Sequence, residues 1–490
     1  MSHAISSPVQ GRRGRAARQI LSFVSRKRPA TLSPARHYVD AHLRALLTKR
    51  GCPVCLESRE SDDKYFFWFL NESYGFPHVL VELADAFGFC AAHGHRLNAC
   101  AKDADAIAFA HGHVTRLTLD LLSQAAGDEQ RLRRSALIEP HACPACASME
   151  RVSERVLFFL DRLLEDPAGA ELYGNPGLLC FPHFQSFAQR LRSPALFQRL
   201  LSLHLDAMTR AGHALAAYPE AADAFPAVLD LAVGGYPGQM ILPAIDIESV
   251  AGERRDTIGD FAAQLDRDDA CPVCVEVRRA WRDWIAWLER TVSGDQNLED
   301  VLPTCREHVW ACVRHGSPAL ATAAVRNALM AALRSAHNGH RALTPAPSSR
   351  RDGWMARLRR VTQGSGRRFR EARQAVAYPI RCPVCERLAT ARDRATHLLF
   401  ALLLEQRQRT AFEAGHGLCL KHFSHALSLR PPPAVQTVLI ETETAKLALL
   451  RWELEEALRK RAWSARPEPG GSERTAWQRA LRRFSGTFDG

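Results

Sequence analysis

Chemistry in this chain is concentrated in its cysteines. Four times the sequence reads CPxC, at Cys52-Pro53-Val54-Cys55, Cys143-Pro144-Ala145-Cys146, Cys271-Pro272-Val273-Cys274 and Cys382-Pro383-Val384-Cys385. Four times it reads CxxH, at Cys90 with His93, Cys180 with His183, Cys305 with His308, and Cys419 with His422. The second cysteine of each CPxC is separated from the next CxxH by 34, 33, 30 and 33 residues, so one rule accounts for twelve of fourteen cysteines. A pattern that recurs four times is an internal repeat. Three thiolates and one imidazole complete the closed tetrahedral shell of a structural zinc site. The expectation is four zinc ions, one per copy, each clamping two helix starts within its own copy.

Other uses of the same residues fit less well. A thioredoxin-like exchange role for CPxC would need a βαβ surround, and none is visible. Covalent haem needs a histidine after the second cysteine, where this chain has Leu56, Ala147, Val275 and Glu386. Iron–sulfur clusters stay open as the alternative cofactor, although their cysteines are usually grouped more closely. Outside the rule, Cys312 reads as a buried core thiol, and His95 and His425 as surface or supporting groups. No Ser-His-Asp order, phosphate-cradling loop or HExxH helix stands out, which favours binding over catalysis.

The elements that must position these ligands are helices. Leu, Ala and Arg dominate over Val, Ile and Thr, which favours an all-α fold. In the second copy Met149, Val152, Val156, Phe159, Leu160 and Leu163 recur at helical spacing after CPxC, and Phe184, Phe187 and Leu191 do so after CxxH. Gly88, Gly177 and Gly417 precede three CxxH pairs where a tight turn would need them; Pro303-Thr304 stands there in the third. The organisation expected is four tandem helix hairpins, each clamped by its own Cys3His site: copy 1 over 50–140, copy 2 over 141–217, copy 3 over 268–340 and copy 4 over 380–460. Around them lie a basic N-terminal arm (1–49), a Gly/Pro-containing insert (218–267), a basic linker (341–379) and a basic C-terminal tail (461–490).

Charge separates copies from arms. Residues 1–50 carry eleven Lys/Arg against one Asp, residues 341–381 eleven Arg against two acids, and the whole chain has a formal charge of +12. Two basic segments share the pattern W-x3-L-R-R: Trp354, Leu358, Arg359 and Arg360, and Trp477, Leu481, Arg482 and Arg483. On a helix this places Trp and Leu on one face beside arginines, a surface for a protein groove or anionic membrane ahead of nucleic acid. No secretory signal and no 18-residue apolar run is apparent, so the reading is cytoplasmic, extending to peripheral attachment at the inner face of the membrane.

The CPVC start, its aromatic-rich helix and Gly417-Leu418-Cys419-Leu420-Lys421-His422-Phe423 together resemble an uncharacterised bacterial family of helical Cys3His proteins. The resemblance spans the four copies, about two thirds of the chain, and implies metal binding by the cysteines and histidines named above. Copy 3, with Pro303-Thr304 before Cys305 and Val309 after His308, departs most from it.

Overall fold

A computed structural model describes residues 34–101, 104–125, 137–138, 140–174, 176–217, 224–235, 257–292, 298–344, 354–465 and 468–486, with the backbone alone at 34–39, 125, 224, 257 and 354–365. The chain is all-helical, with no strand among the described residues. No helix among them is long and apolar enough to cross a membrane.

Each copy is built alike. A long helix leaves CPxC: α2 (Pro53–Asn71), α6 (Pro144–Leu164), α12 (Pro272–Thr291) and α16 (Pro383–Leu402) in copies 1 to 4. Another leaves CxxH: α4 (Ala91–Cys100), α8 (Phe181–Ala188), α13 (Arg306–His315) and α18 (Leu420–Ser428). A third, longer helix closes the copy: α5 (Asp105–Ala125), α9 (Pro194–Ala217), α14 (Pro318–Leu343) and α19 (Pro433–Arg459). Short helices α3 (Pro77–Asp85), α7 (Pro167–Leu172) and α17 (Gln406–Ala414) carry the chain back toward CxxH in copies 1, 2 and 4. The remaining helices are α1 (Pro34–Leu47), α10 (Ala224–Ala232), α11 (Thr257–Ala262), α15 (Trp354–Ala377) and α20 (Ala476–Ser485).

The copies form a closed ring. α2 packs on α6, α9 on α14, α12 on α16, and α19 returns to pack on α5, so copies 1–2, 2–3, 3–4 and 4–1 all touch. One hydrophobic core joins copies 2 and 3, with Leu160, Phe184, Phe197, Trp281, Ile285 and Leu320. The other joins copies 1 and 4, with Phe66, Phe69, Leu83, Leu399, Phe423 and Leu439. Each CPxC start is seated in a core that is not its own copy's. Val54 of copy 1 and Val384 of copy 4 sit in the first core, Ala145 of copy 2 and Val273 of copy 3 in the second. All four are fully buried, and a buried valine contributes about 1.5 kcal/mol or more of apolar transfer energy.

Three segments expected as basic arms or linkers are instead partly core. Leu43, Leu46 and Leu47 of α1 are buried against α2 and α6. Phe369, Ala372 and Val376 of α15 are buried, and this helix packs along α14. In the C-terminal tail, α20 packs on α4, α5, α18 and α19 through Leu481 and Phe484. Arginine-rich composition concealed these apolar stripes, because a buried helical face needs only three or four apolar residues in two turns.

Candidate metal centres

All sixteen expected ligands gather into four Cys3His groups, in each of which the ligand atoms lie within 4.8 Å of one another. Their partnership differs from the expectation. Site I is Cys52 and Cys55 with Cys180 and His183; site II is Cys143 and Cys146 with Cys90 and His93. Site III is Cys271 and Cys274 with Cys419 and His422; site IV is Cys382 and Cys385 with Cys305 and His308. No copy clamps itself: copies 1 and 2 exchange halves, and so do copies 3 and 4.

Helix geometry produces the exchange. α2 has 19 residues and so runs about 28 Å away from its thiolates. It crosses α6 near the N-terminal halves of both, where Ser58 Oγ and Ser153 Oγ are 3.3 Å apart. Each helix start passes the crossing and enters the other copy. The first cysteine of every CPxC is the N-cap residue and proline follows at the first helical position, where its missing N–H costs nothing. The CxxH cysteine caps its own helix in the same way. Thiolates from both halves therefore face free backbone N–H groups and the positive ends of helix dipoles.

The separations suit one tetrahedral ion. Sulfur pairs across the halves stand 3.6 to 3.8 Å apart and sulfur to His Nδ1 distances run from 3.1 to 3.7 Å. Zinc bond lengths of about 2.3 Å to sulfur and about 2.05 Å to nitrogen give tetrahedral edges of about 3.8 and 3.5 Å. All fourteen cysteines are free. Within each group burial lowers the histidine pKa, but hydrogen bonds that the ring donates to the thiolates, and for His422 first the thiolates' charge, outweigh it and raise the pKa to about 10 for His93, His183 and His422 and about 9 for His308. Such a group holds protons that a dication would displace.

Supporting contacts complete the sites. Asp62, buried on α2, is held by Arg96 through one oxygen and faces His93 Nε2 with the other at 3.5 Å. With Nδ1 on an ion, Nε2–H is the donor and Asp62 the acceptor that orients the ring. Carbonyls just before each CxxH are also held. His204 Nε2 lies 3.1 Å from Leu179 O, Asn327 Nδ2 donates to Leu302 O, Arg483 Nη1 to Leu418 O, and Ser485 Oγ to Phe89 O. Gly88 and Gly417 have φ near +75°, the conformation expected of them. Gly177 is needed for another reason: a Cβ there would lie 2.4 Å from Leu47 O.

Among the described residues, a glycine lies against the sulfurs of sites I and III, and none does at sites II and IV. Gly234, which comes after α10, lies over site I, so that a Cβ on it would stand 3.2 Å from both Cys55 and Cys180 Sγ. Gly486, which comes after α20, covers site III in the same way, 3.5 Å from Cys274 Sγ. The Gly234 cap is fastened to copy 3, whose Trp310 Nε1 donates to Gly234 O and Arg306 Nε to Gly235 O. The Gly486 cap is fastened to copy 1 through Ser485. Neither glycine, nor Trp310 or Arg306, was singled out from the sequence. Their signal is faint: a glycine shortly after an apolar helix.

At the centre of the ring lies a cavity of about 590 Å3 reached by ligands of every site: Cys55 of I, Cys90 and Cys146 of II, His422 of III and Cys385 of IV. Arg59, Arg96, Arg306 and Arg392 line it as well and oppose the negative charge of thiolate-rich shells.

The expected partner-binding residues fare differently. Leu481 and Arg483 are buried, Arg483 donating to His416 O and Leu418 O and lying 3.3 Å from Glu443. Trp477 packs partly buried against the second core, and Arg482 is half-buried. This copy of W-x3-L-R-R docks on its own protein, and the burial of Leu481 and Arg483 leaves them no surface for a partner, contrary to expectation. Trp354, Leu358, Arg359 and Arg360 lie on the backbone of α15, their side chains outside the described residues. Cys312 is buried and Cys100 exposed; His425 pairs with Asp393 at 2.9 Å and joins no ligand group.

Comparison with protein-family models, curated proteins and solved structures finds no match. No match supports the likeness to a bacterial Cys3His family, while the four Cys3His groups themselves are present.

Proposed function

We propose that the chain is a zinc-clamped helical scaffold that acts by binding, with four structural ions and no turnover at them. The observation that supports this best is that four closed four-ligand shells of tetrahedral dimensions are each completed between two copies, so that every ion joins separate parts of the fold. A structural zinc ion can supply about 10–16 kcal/mol of metal-coupled folding energy, more than the net stability of an ordinary domain. Ligand separations below 4 Å also speak against an iron–sulfur cubane, in which each ligand sits on a different iron. Elemental analysis of the purified protein should return four zinc per chain and a colourless solution; iron with acid-labile sulfide would overturn the reading.

The binding surface in this reading is basic. Residues 1–50 and 341–381 bring net charges of +10 and +9, suited to an acidic protein groove or an anionic membrane surface. Co-sedimentation with anionic vesicles, weakened by Trp354→Ala, supports the membrane arm. Salt-sensitive retardation of random DNA, unchanged by that substitution, would reverse the ranking in favour of nucleic acid.

A further inference from the structure

The four sites do not present their sulfurs equally to small molecules. In sites I and III a glycine lies against the sulfurs, and Cys52, Cys180, Cys271 and Cys419 are buried; Cys274 of site III is half-buried, with Gly486 against its sulfur. In site IV Cys385 is exposed and Cys305 half-buried; in site II both Cys146 and Cys90 are half-buried. Cys146 and Cys385 open on the central cavity, and each has a second accessible thiolate of its own site close by: Cys90 Sγ at 3.7 Å and Cys305 Sγ at 3.6 Å. Cys55 also reaches the cavity, yet only 6% of it is exposed and Gly234 lies against its sulfur.

We propose that Cys146 and Cys385 are sites of reversible oxidation by hydrogen peroxide, paired with Cys90 and Cys305 as the resolving cysteines; this rests on the zinc reading above. The Cys146 sulfur attacks one peroxide oxygen, the O–O bond breaks, and hydroxide leaves to give a sulfenic acid. Cys90 Sγ then attacks that sulfur, the S–O bond breaks, a second hydroxide leaves, and the disulfide forms. Two thiolates supply the two electrons, one peroxide becomes two waters with two protons from solvent, and zinc departs because half its ligands are gone. The same steps join Cys385 to Cys305. Both disulfides run between the copies that the ion had joined, so the connection outlasts the metal.

The test uses the full, zinc-loaded chain carrying Cys100→Ser, which removes the exposed thiol outside the sites. Zinc content is measured first, then release by hydrogen peroxide is followed with a chromogenic chelator while differential alkylation and mass spectrometry map the oxidised cysteines. The expected result is two of four equivalents released at least about ten times faster than the rest. Cys90–Cys146 and Cys305–Cys385 disulfides should accompany them, with unchanged helical circular dichroism. Release of all four in one phase, no release in excess peroxide, or first oxidation at any cysteine of site I or site III, Cys55 and Cys274 included, overturns this inference alone. A chain that carries no zinc overturns the metal reading and this inference with it.

Discussion

Sites I and III have a glycine against their sulfurs; sites II and IV carry the same ligand set without one, and the most exposed ligand sulfur, Cys385, belongs to site IV. All four use one motif at one spacing, so the difference arises in the segments beyond the third helix of copies 2 and 4. There a short helix, α10 or α20, ends in a glycine that lies on the thiolates of sites I and III. The pairs differ in cover, not in coordination, and identical ligands can serve as permanent clamps in one place and accessible ones in another.

The ligands themselves should show the largest difference between covered and open sites. Cys419→Ser removes a fully buried thiolate from site III and should cost several kcal/mol of the roughly 10–16 kcal/mol tied to that ion. Because the site joins copies 3 and 4, both should lose protection in hydrogen exchange. Cys385→Ser, at the exposed corner of site IV, should cost one zinc while leaving a cooperative thermal transition. Equal destabilisation by the two would show that cover does not matter.

Acid should act next. Burial is the main cause that holds His111 and His204 down to about 4 and His416 to about 3, against an ordinary 6.5. An unfolded chain protonates these groups first, so stability should fall as pH drops from about 6.5 towards 4, by about 1.4 kcal/mol per unit for each. Metal retention should fall over the same range by more than about tenfold per unit. Denaturant midpoints with excess zinc and with a chelator, at two pH values, separate the two contributions.

The caps allow a finer test. Gly486 has φ +97° and ψ 170°, a conformation that costs any other residue about 1–3 kcal/mol. Gly486→Ala should lower the melting temperature and make site III as peroxide-sensitive as site II. Gly366→Ala on α15 meets nothing within 4 Å and should be neutral or stabilise by about 0.5–1 kcal/mol. Of similar size is Trp310→Phe, which removes the hydrogen bond to Gly234 O; about 1 kcal/mol and faster zinc exchange at site I alone are expected.

The motifs made the helical fold and the four Cys3His groups legible, since thiolate and imidazole types are chemically specific and CPxC marks a helix start. Which half pairs with which was not legible. Four equivalent CPxC halves and four equivalent CxxH halves satisfy an ion equally well within a copy or between copies, and the choice is made by where Val54, Ala145, Val273 and Val384 are buried. Spacing carries no trace of that. The basic segments misled because Phe369, Leu481 and Phe484 are few among many arginines, although a few apolar residues on one face are enough to dock a helix. The role of His204 was invisible because its hydrogen-bond partners include the backbone carbonyls of Leu200 and Leu179, which any sequence provides, and Arg483 read as a surface group because two of its partners are carbonyls as well.

The exchange of halves also imposes arithmetic on the architecture. A copy standing alone owns half of two sites and completes neither, and a third copy added to a pair would leave two half-sites unmatched. Only an even number of copies can be fully metallated. The contact of α19 with α5 closes the circle at four, so unlike a stacked repeat array the molecule has no end copy from which to lengthen. A protein built this way would have to grow by whole pairs, or by joining a second chain, and not by single duplication.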